Sequence, residues 1–345
     1  MLARKKTIGI LLFGTLTALL GWILILRKPT HTVQFAHYWW NSKFDPDSLQ
    51  LNRMRTAGVL YLHVFDIDAQ PGSDPMPMAE LRNFKHKEGL QIIPVIYLTQ
   101  RALRAMKLAN DSKLAINMLR YTEQILGLNR NDWAGFQIDC DWTESSQNRY
   151  FEFLKTLKAE LKNTPLSATI RLHQIKFREK TGVPPIDRGM LMLYNAGKIE
   201  TLQRKNSIFE ASDVQPYLER LSDYPIKLDY ALPAFSWGIV YRMGKIIEIL
   251  PEKKSDAACL STFFKKVDLS LYECIESGYR NGFYFLKGDR IKCETVDAQR
   301  CKQAAELLHS YLKSDRFTLV FYQVGSPTFM RYDENELEAI RRVFN

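Results

Sequence analysis

The sequence lacks the patterns that mark several functional classes. None of its five cysteines forms a CxxC pair, and His37 and His63 show no paired ligand spacing, which argues against a metal site. It has no dense stripe of lysine and arginine with interleaved aromatic residues, which argues against nucleic-acid binding. Internal repeats and low-complexity linkers are also missing, and 46% hydrophobic with 25% charged residues is typical of a globular protein. We therefore expect no cofactor, no metal and no nucleic-acid partner.

Charge is absent from residues 7–26, which follow the basic residues Arg4, Lys5 and Lys6. At about 1.5 Å per residue, a helix of this length spans the ~30 Å hydrocarbon core of a bilayer. The run ends without a small-x-small cleavage site, which favours an uncleaved anchor over a signal peptide cleaved near His31. We predict that residues 1–30 form a membrane anchor and that the remaining chain lies outside the cytoplasm, in the periplasm or at the cell surface.

Four of the cysteines lie in one late segment: Cys259, Cys274, Cys293 and Cys301. In an oxidising compartment they could form two disulfides, in any of three pairings. Cys140 would then remain unpaired.

Short β-rich apolar runs alternate with amphipathic helical patterns after residue 30, which is typical of a parallel sheet flanked by helices. Helical spacing is clear at 114–126, 145–163 and 298–312. Eight runs suggest closure into a (β/α)8 barrel over residues 31–345, with an elaborated insertion at 238–316 between the seventh and eighth strands. The predicted strands are 33–40, 59–66, 91–98, 135–141, 167–173, 189–194, 227–234 and 318–323.

The fourth predicted strand carries two carboxylates. Side chains alternate along a strand, so Gln137, Asp139 and Asp141 share one face, which we expect to point into the barrel. Two carboxylates so close together repel each other, which raises one pKa and prepares that group as a general acid. The alternative is that both aspartates cap loop amides or bind loop arginines.

Aromatic and polar side chains follow other strand ends. Trp39, Trp40, Trp142 and Trp237 lie at or just past predicted ends, with Tyr194 and Tyr322 at matching positions, where aromatic faces could stack on sugar rings. The alternative is a capping layer of core aromatics.

The fifth predicted strand closes with Arg171, His173 and Gln174, which could hold a substrate hydroxyl or an anionic sugar. A structural ion pair to Asp139 or Asp141 is the alternative. The second predicted strand ends at Asp66 and Asp68, for which a helix-cap role is favoured over a place in the site.

These segments resemble glycoside hydrolase family 18, the chitinase-like TIM barrels. The family signature Asp-x-x-Asp-x-Asp-x-Glu falls on Ala134, Gln137, Asp139 and Asp141, so the third member is kept and the terminal Glu is replaced by Asp. Residues 192–195 are similar to the family's Met-x-Tyr-Asp/Asn, and residues 231–235 to its Gly-x-Pro-Phe-Tyr strand. The whole chain is also similar to a bacterial family of barrel proteins related to glycosidases, a resemblance to which residues 166–173 contribute.

The resemblance implies substrate-assisted hydrolysis of an N-acetylhexosamine linkage in a cell-envelope glycan. By position, Asp141 would be the acid, Asp139 would orient the acetamido group and Tyr194 would steady the intermediate. A barrel that binds glycan without cutting it and an envelope scaffold are the alternatives. The predicted substrate-binding residues are Gln137, Trp142, Arg171, His173, Asn195, Trp237, Trp39 and Tyr322.

Overall fold

A computed structural model describes residues 31–197, 199, 202, 206–313 and 316–344. Eight parallel strands of this part form a closed barrel, since the first strand pairs with both the second and the last. The expected (β/α)8 barrel is thereby confirmed. In chain order the barrel strands are β1 (Thr32–Trp39), β2 (Val59–Asp68), β4 (Gln91–Leu98), β5 (Phe136–Asp139), β6 (Leu166–Arg171), β7 (Arg188–Met192), β8 (Leu228–Pro233) and β16 (Arg316–Tyr322), while β3 (Met76–Met78) pairs with the end of β2.

Strands β5, β7 and β8 are short and almost wholly buried, because one face packs in the lumen and the other lies under helices. The helices are α1 (Ser48–Ala57), α2 (Gln100–Ala105), α3 (Asp111–Leu126), α4 (Gln147–Leu161), α5 (Leu172–Lys176), α6 (Arg178–Thr181), α7 (Ala211–Leu218), α8 (Glu252–Cys259), α9 (Ala298–His309), α10 (Pro327–Met330) and α11 (Glu334–Arg341). In α4, for example, Tyr150, Phe153, Leu154, Leu157 and Leu161 form the buried face.

Two predicted strands end earlier than expected. The fourth barrel strand, β5, stops at Asp139, so Asp141 lies in the following loop. Strand β6 stops at Arg171, and His173 belongs to the first turn of α5. The alternation of side chains along a strand therefore does not determine the direction in which Asp141 or His173 points.

An antiparallel sheet follows β8. It is formed by β9 (Ser236–Arg242), β10 (Lys245–Pro251), β11 (Phe264–Lys266), β12 (Leu271–Cys274) and β15 (Arg290–Thr295), with a separate hairpin of β13 (Gly278–Arg280) and β14 (Phe283–Phe285). Its small core includes Val240, Leu250, Phe264, Phe285 and Ile291. Helix α9, within the predicted insertion, packs on the barrel core instead, so the added sheet covers residues 236–295.

One disulfide joins Cys259 to Cys293. Cys274 and Cys301 are free and buried, so the structure does not contain the second disulfide that the sequence allowed. The physical reason is that Cys301 lies in the barrel core on α9, whereas Cys274 lies in the core of the added sheet.

The predicted anchor at residues 7–26 lies outside the described residues. Within the described part of the chain, no helix combines the length and apolar character needed to cross a bilayer.

An ion pair ties three strands together beneath the site. Asp229 on β8 is buried, accepts two hydrogen bonds from Arg188 on β7 at 2.7 and 2.6 Å, and accepts a third from the Thr318 amide on β16 at 2.6 Å. This carboxylate therefore holds adjacent strands in register.

We expect Asp229→Asn to lower the free energy of unfolding by about 2 kcal/mol, since Arg188 loses its counter-ion but is partly exposed. Urea unfolding followed by circular dichroism measures the change. Glu152→Gln, which removes an exposed pair with Lys155, is the control and should change stability by less than ~0.5 kcal/mol. Equal losses in the two variants would contradict the prediction.

Candidate functional site

A cavity of about 890 Å³ opens at the carboxyl ends of the barrel strands. A second cavity of about 410 Å³ adjoins it, because Asp141, Arg171, Tyr194 and Asn195 line both. Carboxyl ends of the strands are where barrel enzymes carry their active sites. Side chains that line the larger cavity include Trp40, Asp66, Tyr97, Asp139, Asp141, Arg171, Tyr194 and Tyr322.

Gln137 lies below the floor of the cavity. Its amide oxygen accepts a hydrogen bond from the Tyr38 hydroxyl, and its nitrogen donates to Ser167 at 3.2 Å. The side chain is fully buried and does not line either cavity. Gln137 points into the barrel as predicted. It lies one layer of side chains below the cavity, however, so the prediction that it contacts substrate is wrong.

Asp139 forms the floor. It is 5% exposed, and Thr169 on β6 donates to its Oδ1 at 2.6 Å. Burial raises the pKa of this carboxyl; the nearby Asp141 adds to the effect, while Arg171 and the Thr169 bond oppose it. Asp139 therefore retains a proton to higher pH than an exposed aspartate does.

Asp141 lies higher in the cleft, with 46% of its side chain exposed. The Arg171 guanidinium donates to its Oδ1, and Gln100 donates to its main-chain oxygen. The expected alternative, an ion pair with an arginine, is therefore the observed arrangement for Asp141. Its carboxylate remains open to the cleft on the other side.

Arg171 lies between the two aspartates at the end of β6. Burial alone would lower the pKa of its guanidinium, but Asp139 and Asp141 raise it above the ordinary value. His173 lines the smaller cavity beside Tyr217, and partial burial lowers the pKa of its imidazole. Arg171 contacts the larger cavity and His173 does not.

An array of aromatic rings lines one side of the cleft. Tyr194 lies 5.5 Å from Tyr322, Tyr322 lies 5.5 Å from Phe235, and Phe235 lies 5.8 Å from Trp237, measured between ring centroids. The Trp237 indole donates to Glu294 on β15 at 2.9 Å, so the added sheet orients this ring. Asn195, at a positive φ of 58°, follows Tyr194 into both cavities.

Two predicted tryptophans are not available for stacking. Trp39 is 1% exposed and packs against Phe44 outside the barrel lumen, and its neighbour Trp40 faces the cleft instead. Trp142 is fully buried, stacks on Tyr150 and donates to the Thr181 carbonyl at 2.9 Å. For these two residues the capping-layer interpretation is the correct one.

Sequence reasoning missed Tyr97 and Glu252. Tyr97 follows from alternation along the predicted strand at 91–98, and burial together with Asp141 and Asp139 raises its pKa to about 12. Glu252 begins helix α8 in the region of the added sheet and lines the cleft. No pattern in the sequence indicated this position. Glu252 is held by the Thr328 amide at 2.5 Å and hydroxyl at 2.6 Å, both of which donate to it.

Asp66 lines the cleft, whereas Asp68 does not. Asp68 instead accepts from Thr99 at 2.6 Å and from Arg101 at the start of α2. The N-cap of α2 is Thr99, whose side chain accepts from the Ala102 amide, so the helix-cap interpretation is wrong for Asp68 as well as for Asp66. Within the described ranges, no three His, Cys, Asp or Glu side chains are grouped as metal ligands.

No protein-family model matches the sequence, and no curated protein matches it. Several solved structures are nevertheless similar to this chain. A chitinase from Chromobacterium violaceum is 13% identical, with a TM-score of 0.56, and the alignment covers 90% of this chain and 99% of that one.

The spore cortex-lytic enzyme SleL is similar in two species. The Bacillus cereus protein is 14% identical with a TM-score of 0.52, and the Bacillus megaterium protein is 15% identical with a TM-score of 0.53. Each alignment covers 92% of this chain and 75% of the other. The chain therefore has the barrel fold of chitinases and cortex-lytic enzymes, as the resemblance to family 18 implied.

Proposed function

We propose that this protein is a glycoside hydrolase of the cell envelope, acting on a glycan that contains N-acetylhexosamine. The observation that carries the proposal is the carboxyl pair Asp139 and Asp141 at the end of β5, in an open cleft with aromatic rings on one side. The similar structures include a chitinase and a cortex-lytic enzyme, which supports this class of substrate.

Asp139 is proposed as the proton donor to the glycosidic oxygen. Its buried position raises its pKa, and a protonated carboxyl at the reacting bond is what acid catalysis needs. The resemblance to family 18 assigned that role to Asp141. Arg171 holds Asp141 on one side, and the other side of this carboxylate is open to the cleft, where it can accept hydrogen bonds from sugar hydroxyls.

The aromatic array provides the binding surface. The partly exposed Tyr322 and Trp237 offer ring faces on which the apolar face of a sugar can stack, the buried Tyr194 supports Tyr322, and Asn195 and Arg171 add polar contacts. The adjoining cavity beside His173 extends the cleft past Asp141, so sugars can occupy both sides of the carboxyl pair.

We further propose, from the sequence, that residues 7–26 anchor the chain in a membrane with the barrel on the extracytoplasmic side. A charge-free run of this length, preceded by basic residues, supports the anchor. The proposed substrate lies in the same compartment.

Asp139→Asn should lower kcat on chitooligosaccharides by about 10²–10⁴-fold, because it removes the proton donor. Asp141→Asn should raise KM with a smaller effect on kcat. Chromatography of the released sugars, with full-length protein, measures both. Asp132→Asn, an exposed residue before the other end of the same strand, is the matched control and should retain activity.

A greater loss in Asp141→Asn than in Asp139→Asn would return the acid role to Asp141. Binding of chitooligosaccharides without any release by the unaltered protein would overturn the hydrolase proposal in favour of a glycan-binding barrel.

The pH profile should reflect the raised pKa of Asp139. Activity that needs the protonated acid falls as pH rises through its pKa, so the alkaline limb of kcat/KM should lie above the ~4 of an exposed aspartate. A profile measured on the same substrate between pH 3 and pH 9 tests this. A limb at or below pH 4 would contradict the assignment.

A further inference from the structure

One buried carboxylate joins two parts of the cleft wall that come from different segments of the chain. Glu294 on β15 is 1% exposed and lines neither cavity. Its Oε2 accepts a hydrogen bond from the Trp237 indole at 2.9 Å and another from the Ser207 amide at 2.9 Å. The Ser207 hydroxyl donates to the same oxygen. Glu294 therefore contacts both a tryptophan of the added sheet and the loop that precedes α7.

The loop that Glu294 holds carries a side chain of the cleft. It runs from the end of β7 to the start of α7, and Asn195 near its beginning lines both cavities. The Asn195 amide donates to the Ile208 carbonyl at 2.8 Å, so Asn195 is bonded to the residue that follows Ser207. A displacement of Ser207 moves the adjoining Ile208 and, through this bond, Asn195.

Asn206 gives the same part of the loop a fixed shape. Its side-chain oxygen accepts from the amides of Ile208 and Phe209 at 2.9 and 3.2 Å, and its nitrogen donates to the Thr295 carbonyl at 2.9 Å. Residues 206–209 are all buried. This turn therefore rests on β15 as a unit. Among the described residues, Glu294 is the one that bonds both to this turn and to the Trp237 ring.

Lys292 holds the other oxygen of Glu294. Its Nζ lies 2.8 Å from Glu294 Oε1, and its side chain is 3% exposed. The two residues are two positions apart on β15, so both side chains lie on the same face of the strand. A buried carboxylate is stable only when its oxygens have partners. Here Lys292 occupies one oxygen, and donors from the two wall segments occupy the other.

A second buried carboxylate of the added sheet is arranged differently. Asp289 is 2% exposed, and its two oxygens accept from the Arg242 guanidinium at 2.9 and 2.8 Å. The Leu286 amide also donates to Asp289 at 2.8 Å. None of these three residues lines either cavity. Asp289 therefore stabilises the added sheet without reaching the cleft, whereas Glu294 bonds to groups of the cleft wall.

We propose that Glu294 is a positioning residue that sets the placement of the Trp237 ring relative to Asn195, and so determines how tightly the cleft binds a glycan. A sugar that contacts both residues meets an aromatic ring and an amide side chain at once, so its binding depends on their relative position. Glu294 lies behind the wall and acts through these two residues. The inference rests on the proposed function, in which Trp237 and Asn195 contact the glycan, and adds the residue that aligns them.

Glu294→Gln tests this assignment without changing the size of the side chain. The glutamine amide has one acceptor oxygen, and its nitrogen only donates. Whichever way the amide turns, its nitrogen therefore faces a donor, either Lys292 Nζ or the indole and the Ser207 groups. Loss of the counter-ion of a buried ammonium is the more costly mismatch. The glutamine oxygen is thus expected to face Lys292, and the contact with Trp237 and Ser207 is lost.

We expect Glu294→Gln to raise Kd and KM for chitooligosaccharides about tenfold with kcat changed less than about threefold, since the carboxyl groups of the floor stay in place. Isothermal titration calorimetry with full-length protein measures Kd, and chromatography of the released sugars measures KM and kcat. Asp289→Asn is the matched control, because it also removes a buried charge from an ion pair of the added sheet. Its Kd should stay within about twofold of the unaltered protein.

A second measurement needs no ligand. The amides of Asn195 and of residues 207–209 are bonded within the network that Glu294 supports. Their hydrogen exchange, followed by mass spectrometry, should be faster in Glu294→Gln, because the turn is then released from β15 on one side. In Asp289→Asn the exchange of these amides should match that of the unaltered protein.

Equal increases of Kd in Glu294→Gln and Asp289→Asn would overturn the inference, since loss of stability in the added sheet would then explain both. A folded Glu294→Gln with an unchanged Kd would overturn it whatever its exchange. A raised Kd with unchanged exchange at 207–209 would do so as well, because the loop would then be independent of Glu294.

The proposed function and the inference fail in distinguishable ways. Binding of chitooligosaccharides by the unaltered protein without hydrolysis would remove the hydrolase function, while the Kd of Glu294→Gln would still decide the role of Glu294. If the unaltered protein binds no chitooligosaccharide, both are overturned.

Discussion

Closure of the parallel sheet is the constraint on which the site depends. Because β1 pairs with both β2 and β16, the ring has no edge between these strands, and every inward side chain at their carboxyl ends faces the same small volume. Residues far apart in sequence, such as Asp66, Asp139 and Tyr322, therefore meet in one cavity. The Asp229–Arg188 pair holds the strands below this level in register, so the floor of the cleft is set by the same hydrogen bonds that maintain the barrel.

The electrostatics of the floor follow from that geometry. A buried carboxylate is unfavourable unless it is paired or hydrogen-bonded, and among the described residues the Thr169 hydroxyl is the direct donor to Asp139. Arg171 gives its direct contact to Asp141, so it compensates the charge on Asp139 only from a distance. A proton on Asp139 relieves the remaining cost. The position of Arg171 against Asp141 is therefore one reason why burial raises the pKa of the Asp139 carboxyl.

Periodicity was sufficient to predict the barrel, its eight strands and the inward direction of Asp139, because alternation is dictated by backbone geometry. Periodicity was insufficient wherever a shift of one residue changes the face of the strand on which a side chain lies. The predicted first strand included both Trp39 and Trp40, but β1 ends at Trp39, and only the structure shows that Trp39 packs on Phe44 while Trp40 lines the cleft. The bulge that brings Asp66 beside His63 is a property of strand pairing and leaves no period in the sequence. These features are three-dimensional, so a sequence pattern cannot contain them.

The position of the added sheet distinguishes the interpretation of the protein as having an open, ligand-binding cleft from its interpretation as a scaffold. A scaffold requires the mouth of the barrel to be closed, and residues 236–295 are long enough to do so. They stand at its side instead, supplying Trp237 and Glu252 to the wall, and a cavity of about 890 Å³ remains above Asp139. The buried Lys292–Glu294 pair orients the Trp237 indole toward that cavity, at a desolvation cost that apolar packing would avoid. These buried charged groups direct an aromatic ring at an open cleft. Such an arrangement is expected of a protein that recognises a ligand, and a scaffold with a closed barrel has no need of it.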